Sequence, residues 1–273
     1  MRRISTRNAA FQQWQALLAS RTKRQRSGEF VVHGVRPINL ALEKGWTVRV
    51  LLYPDGRDLS RWARETLARA DTVAMAPELL AELGEKTDEP PELLAVVALP
   101  ADDLSRIPLR DNALVVVFDR PTTPGNIGTL IRSADAFGAD GVIVTGHAAD
   151  PYDPKAVRAS TGSLFALPVV RAPSHREVVA WASGASGAKI VGTDESGDID
   201  VDRYDFTGPR VVVIGNETRG LSNGWREACD RIVRIPMTGA ASSLNAAAAA
   251  TVVLYEAARQ RRADGWFVAE GGD

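Results

Sequence analysis

Three short stretches in the second half of the chain combine polar side chains with glycines at spacings that suit a ligand site. The first is Asp119-Arg120-Pro121-Thr122-Thr123-Pro124-Gly125-Asn126-Ile127-Gly128-Thr129-Leu130-Ile131-Arg132. Ile127, Leu130, Ile131, Ala134 and Phe137 recur at helical spacing and form one apolar stripe. At about 100° per residue, Arg132 falls nearly opposite that stripe, with Gly128 four residues earlier on the same side. An arginine beside a glycine gap suits a phosphate or a ribose. A solvated surface arginine satisfies the same pattern, and Asn126 reads equally well as a helix N-cap.

The second stretch, Val211 to Leu221, runs from an apolar strand into a glycine-bounded turn, Gly215-Asn216-Glu217-Thr218-Arg219-Gly220. Glycine lets a ligand approach backbone N–H and C=O groups closely. The stretch lacks the Gly-Lys-Ser/Thr end of a phosphate loop. The Gly-x-Gly-x-x-Gly dinucleotide fingerprint occurs nowhere in the chain, which argues against an ordinary NAD enzyme. A tight turn with a solvated Glu217 is the plainer alternative. The third stretch, Ile235-Pro236-Met237-Thr238-Gly239-Ala240-Ala241-Ser242-Ser243-Leu244-Asn245, leads into an alanine-rich helix. Ser242 or Ser243 is a natural N-cap there, whereas Asn245 is a poor residue for a helix interior.

All three stretches follow predicted strands, at the edge where parallel α/β sheets bind ligands. The strands are Ala113–Phe118, Arg210–Ile214 and Ile232–Pro236. Ala113–Phe118 is continuously apolar, as expected of a strand buried on both faces. Further strands are expected at Val142–Thr145, Leu167–Arg171 and Lys189–Thr193. Helices are expected at Ile127–Phe137, 155–161, His175–Ser183, Asn223–Cys229 and Leu244–Arg262. The first half alternates in the same way. A helix over 8–19 carries Phe11, Trp14, Leu17 and Leu18 on one face, so Trp14 is expected in a core. Strands at Glu29–His33, Val48–Tyr53, Thr72–Met75 and Leu93–Leu99 alternate with helices at Pro37–Lys44, Leu59–Arg69 and Pro77–Gly84. The fold class is α/β, with a small domain over 1–100, a polar linker over 101–112 and a parallel-sheet domain over 113–273. The tail Ala263–Asp273 is expected to fray.

The 273 residues are 45% hydrophobic and 25% charged, which excludes a mainly disordered chain. No apolar run approaches the roughly 20 residues that a membrane span needs. A single cysteine, Cys229, excludes an intrachain disulfide framework, and His33, His147 and His175 have no zinc-site spacing, so no metal is expected. Net charge is −1, yet residues 1–36 carry eight Lys/Arg against Glu29, leaving −8 on the remainder. Such asymmetry suits an anionic partner, with a solvated helix end as the alternative. The first 28 residues also have the composition of a transit peptide, but they run into Phe30-Val31-Val32 without a spacer. No secretory signal is expected, and the protein is read as cytoplasmic.

Together the three stretches resemble the motifs of the SpoU–TrmH (SPOUT) family of RNA ribose 2′-O-methyltransferases. These are Asn-x-Gly-x-x-x-Arg (Asn126 to Arg132), Gly-Asn-Glu-x-x-Gly (Gly215 to Gly220) and Ile-Pro-Met…Ser-Leu-Asn (Ile235 to Asn245), in that order. Asp153–Phe165 resembles the family's segment between the first two. Gly28-Glu29-Phe30-Val31-Val32-His33-Gly34 and Leu40-Ala41-Leu42 resemble its ribosomal-protein-like substrate-binding domain, although Pro91-Glu92 stand where members often carry Gln-Gly.

The resemblance implies a methyltransferase domain with a carboxy-terminal trefoil knot, S-adenosylmethionine as methyl donor, an RNA substrate and a homodimer. It implies Gly215, Ile235 and Leu244 at the cofactor, and Arg132, Asn126, Glu217, Ser243 and Asn245 in catalysis. A guanidinium stays protonated, so Arg132 is expected to stabilise the developing alkoxide or orient the 2′-hydroxyl, not to act as a literal base. Arg158 and Ser160 are weaker candidates for RNA contact or a dimer interface. Arg21, Lys23, Arg24, Arg26 and Arg36 are expected to bind RNA backbone. The extra domain favours ribosomal RNA, with transfer RNA, or a non-catalytic RNA-binding or ribosome-assembly role, as alternatives.

Overall fold

The computed structural model describes residues 2–85, 90–184 and 187–263. The expected fraying of the tail beyond 263 lies outside the described residues. The chain divides into two compact units, 2–101 with Tyr152–Ala166, and 102–151 with the residues from 167 onward.

The first unit opens with a strand that periodicity did not reveal, β1 (Arg2–Ile4), followed by α1 (Ala9–Ala19) and α2 (Arg21–Ser27). Asn8 caps α1 by accepting from Phe11 N at 3.0 Å. Ser20 ends α1 and caps α2, accepting from Lys23 N. The basic cluster is therefore helical, and Gly28 closes it in the left-handed conformation, φ 67°. Next come β2 (Glu29–His33), α3 (Val35–Glu43), β3 (Val48–Pro54), α4 (Arg61–Leu67), β4 (Thr72–Met75), α5 (Pro77–Leu83) and β5 (Leu94–Ala98). The sheet order is β1-β4-β3-β5-β2, with β2 and β3 antiparallel to β5. Phe11, Trp14 and Leu17 of α1 pack with Ile4, Val73 and Met75 beneath it, so Trp14 is a core residue.

The second unit begins with a 3₁₀ turn at Leu104–Arg106, which Ile107, 2% exposed, ties to the core. Then follow β6 (Leu114–Asp119), α6 (Pro124–Ala136) and β7 (Gly141–Thr145). The chain next contributes α7 (Pro154–Ser160) to the first unit, where Phe30 meets Tyr152 with ring centroids 5.0 Å apart and stacks with Phe165 at 6.2 Å. It then returns to the second unit as β8 (Val169–Ala172), α8 (His175–Ala182), β9 (Lys189–Thr193), β10 (Ile199–Asp200), β11 (Arg210–Ile214), α9 (Asn223–Ala228), β12 (Arg231–Arg234) and α10 (Ala246–Ala263). The sheet is parallel throughout, in the order β10-β12-β9-β11-β6-β7-β8. All six residues of β6 are buried, as a central strand covered on both faces requires.

Helix α10 packs along α6 and positions the site from both its ends. Near its carboxyl end, buried Arg261 donates to the carbonyls of Asn112, Phe206 and Gly208, at the amino ends of β6 and β11. Burial pulls this guanidinium down to about 10. Its first turn lies at the opposite edge, beside the carboxyl ends of β6 and β11.

Candidate functional site

The loops after β6, β11 and β12 meet at the carboxyl edge of the second sheet. The loops after β11 and β12, with the loop after β9, border a cavity of about 420 Å³ with Gly215, Glu217, Ile235, Met237, Ser243 and Leu244 in its wall. That size falls in the range of small-molecule sites, about 300–1,000 Å³.

Helix α6 starts at Pro124, three residues before the expected Ile127, so Asn126 sits inside the first turn and is not the cap; Thr123 holds that place without a side-chain bond. Asn126 is thereby free to face another loop. Its Nδ2 donates to Glu217 Oε1 at 3.2 Å, and its Oδ1 accepts from Asn245 Nδ2 at 3.2 Å. Asn245 in turn accepts from Ala247 N at 3.0 Å and Ala248 N at 3.3 Å. The cap of α10 is therefore Asn245 and not Ser242 or Ser243, which corrects the expectation and explains an asparagine at that point. Ser243 is exposed on the cavity wall.

Glu217 is ringed by donors: Thr122 N at 3.1 Å, Thr122 Oγ1 at 3.2 Å, Thr123 N at 3.4 Å and Asn216 Nδ2 at 3.3 Å, besides Asn126. Burial pushes its carboxyl upward. Hydrogen bonds from its own backbone, Thr122, Asn126 and Thr123 outweigh that and hold it below the ordinary value. The solvated-turn alternative does not describe such a residue. Asn216 closes its own turn, exchanging backbone bonds with Gly220 at 2.9 and 3.0 Å. Glycine is required opposite: a Cβ on Gly215 would sit 2.6 Å from the Gly220 carbonyl carbon.

Gly215, Ile235 and Leu244 all line the cavity. Arg132 does not; it is exposed on α6 and makes no hydrogen bond or ion pair among the described residues. The glycine gap beside it is absent as an open surface, because Gly128 is buried with the apolar stripe. Arg158 is paired with Glu85 at 2.5 Å, and Ser160 is buried, bonding Val157 O.

Of the five basic residues expected at RNA, Arg21, Lys23, Arg26 and Arg36 are exposed. Arg24 is corrected. It is 2% exposed, donates to Leu17 O at 2.7 Å and Leu18 O at 3.4 Å, and lies 3.5 Å from Asp153. Its helical position turns it inward while its neighbours on α2 face solvent.

Sequence reasoning passed over Asp194, Glu195 and Arg226, which line the same cavity. Asp194 accepts from Arg226 Nη2 at 2.5 Å and from Ser196 Oγ at 2.6 Å. An acidic pair directly after strand β9, at the ligand-binding edge, was the available signal. Among the described residues no helix is long and apolar enough to cross a membrane, and no cluster of three His, Cys, Asp or Glu could hold a metal.

Two family models match the chain, the SpoU rRNA methylase family over residues 113–255 and the SpoU L30e-like domain over 8–95. A relative from Streptomyces viridochromogenes, a 23S rRNA (uridine(2479)-2′-O)-methyltransferase, is 65% identical over 95% of this chain and 93% of its own length. The structure of the SpoU methyltransferase AviRb from Streptomyces viridochromogenes, in complex with AdoMet, matches with a TM-score of 0.90 at 63% identity, covering 94% of this chain and 99% of that one. An AdoMet-bound rRNA methyltransferase from Sinorhizobium meliloti matches with a TM-score of 0.84 at 29% identity, covering 96% and 98%.

Proposed function

Because this chain belongs to the SpoU rRNA methylase family, we propose that it transfers a methyl group from S-adenosylmethionine to a ribose 2′-hydroxyl of 23S ribosomal RNA. The observation that carries this reading is the hydrogen-bonded chain Asn245–Asn126–Glu217, which ties the three motif segments to one cavity. Ribosomal RNA is favoured over transfer RNA by the 65% identical relative named for 23S rRNA.

The cavity residues fit the cofactor. Gly215 brings backbone into the cavity wall, Ile235, Met237 and Leu244 provide apolar wall for adenine, and Asp194 and Glu195 add carboxylates. When bound, S-adenosylmethionine supplies a methyl carbon made electrophilic by the adjacent sulfonium. The rest is placement of a weakly acidic hydroxyl in line with that carbon. Arg132, exposed and with no hydrogen bond or ion pair among the described residues, stabilises the ribose oxygen as its proton passes to solvent water, directly or through the adjacent phosphate. Asn126, Glu217 and Asn245 hold the three motif segments together. Glu217 has its lone pairs occupied by donors and stays ionised, which suits a strut better than a base. Ser243 stands exposed on the wall for a substrate contact. Arg21, Lys23, Arg26 and Arg36 supply phosphate contacts to the RNA.

The finer features follow the same reading. A homodimer is supported by Val252, 39% exposed, and Tyr255, 52% exposed, on the outer side of α10. A trefoil knot is supported by the family resemblance and by the chain order, in which β12 pairs beyond β9 and α10 then packs against α6 and β11. A role in ribosomal RNA maturation in the cytoplasm is the setting that such a substrate implies.

The test is transfer of labelled methyl from S-adenosylmethionine to total RNA, with ribosomal and transfer fractions separated and Arg132→Ala run alongside. Label in 23S rRNA that is lost in the variant is expected. Label confined to transfer RNA, or cofactor binding with no transfer to any ribosomal state, overturns the reading.

A further inference from the structure

The turn that walls the cavity is closed from outside by two residues that the motifs do not explain. Arg120 follows β6 in the left-handed region, φ 50°, where a side chain is strained. Its guanidinium lies along the Asp119 carboxylate, Nε to Oδ1 at 3.2 Å and Nη2 to Oδ2 at 3.0 Å. The same Nη2 donates to the Gly220 carbonyl at 3.3 Å, and the Arg120 carbonyl accepts from Asn216 Nδ2 at 2.6 Å. Asp119, 3% exposed, also accepts from Ser222 N at 3.0 Å.

We propose that Arg120 is a positioning residue for cofactor binding, a clamp that with Asp119 fixes the turn at Asn216, Gly220 and Ser222 and so presents Gly215 to Thr218 as a rigid wall. The inference rests on the cofactor reading of the cavity. The clamp explains why a strained arginine stands where glycine fits more easily: the conformation aims the side chain and the carbonyl of one residue at two points of the same turn. The arginine stem crosses the end of β7 where Gly146 leaves room; a Cβ there would sit 2.8 Å from Arg120 Cγ. Arg120 is not among the cavity-lining residues, so it acts through the turn.

Arg120→Gly tests this, because glycine accepts the backbone conformation and keeps the carbonyl that receives Asn216, removing only the guanidinium arm of the clamp. Titration with S-adenosylmethionine should show Kd raised about tenfold, the scale of one charge-assisted hydrogen bond. The cofactor KM should rise with it, with kcat nearly unchanged. Amide exchange at Asn216 and Gly220 should accelerate by a similar factor. Wild-type Kd in the folded variant overturns the proposal. Should Arg120→Gly fail to fold, Arg120→Lys keeps the charge beside Asp119 but lacks the planar fork. It should show the same changes at smaller size, and wild-type Kd and exchange in that variant overturn the clamp. If wild-type protein itself binds no S-adenosylmethionine, the cofactor reading fails separately. Exchange at Asn216 and Gly220 then decides alone: faster exchange in the variants upholds the clamp, and unchanged exchange overturns it.

Discussion

Asn245 and Asn126, 119 residues apart, share a hydrogen bond of 3.2 Å from Nδ2 to Oδ1. Asn245 uses its remaining oxygen to cap α10, and Asn126 uses its remaining nitrogen to hold Glu217. One amide thus couples the start of a helix to the loop network of the cavity.

Substitutions at Asn245 should separate these two tasks. Asn245→Asp keeps an acceptor at the helix start, where negative charge is favourable, but cannot donate to Asn126. Its melting temperature should stay near wild type while methyl transfer falls at least tenfold. Asn245→Ala should lose both, with a stability cost of about 1 kcal/mol for the cap. Thermal melts and initial rates on the three proteins check this; an active Asn245→Asp protein contradicts the coupling.

Glu217 sets an acid dependence. Its folded-state pKa lies below the ordinary carboxylate value, so folding favours the ionised form. The stabilisation is complete above the unfolded value and is lost as pH falls through the folded one. Glu217→Gln should therefore melt below wild type at pH 7. That gap should close as pH drops below the ordinary carboxylate range. A gap that persists into acid would show that the charge of Glu217 does not matter.

For Arg132 the prediction is an activity loss without a stability loss. The side chain is exposed and makes no hydrogen bond or ion pair among the described residues, so Arg132→Ala should change stability by about 0.5 kcal/mol or less. Turnover should fall about 10²–10³-fold if it stabilises the developing oxyanion. Single-turnover rates at saturating cofactor and RNA measure this, and a rate near wild type removes Arg132 from the chemistry.

The basic residues of α2 and α3 should fall into two classes. Arg26→Ala or Arg36→Ala should weaken RNA binding, with the slope of log K against log salt falling by about one per residue. Arg24→Ala should instead destabilise the protein by about 2 kcal/mol or more, because it leaves buried carbonyls and Asp153 without their donor. Salt-dependent filter binding and denaturant melts on the three variants distinguish them.

Cys229 should be inert in the native state. Burial, with Asp230 beside it, pushes its thiol up to about 12. Thiolate is the reactive form, so alkylation at pH 8 should be far slower than for a free thiol and should track unfolding. Modification at the free-thiol rate in native buffer would contradict this.

Much of this protein was legible from its residues because periodicity reports which face of an element is covered. The unbroken apolar run of β6 announced a central strand, and the spacing of Phe11, Trp14 and Leu17 announced a buried helix face. The positions of the three polar loops after β6, β11 and β12 followed from the same alternation. Periodicity is local, however, and strand pairing is made by backbone groups that every residue carries. It could not reveal that β12 pairs between β9 and β10, or that a three-residue β1 extends the first sheet. It could not bring Tyr152 and Phe165 onto Phe30, or turn Arg24 inward while Arg26 faces out. The meeting of Asn126, Glu217 and Asn245, the cap that passes from Ser243 to Asn245, and the clamp from Arg120 to Gly220 all depend on loops distant in sequence ending at one sheet edge. Those relationships exist only once the tertiary fold sets the strand order.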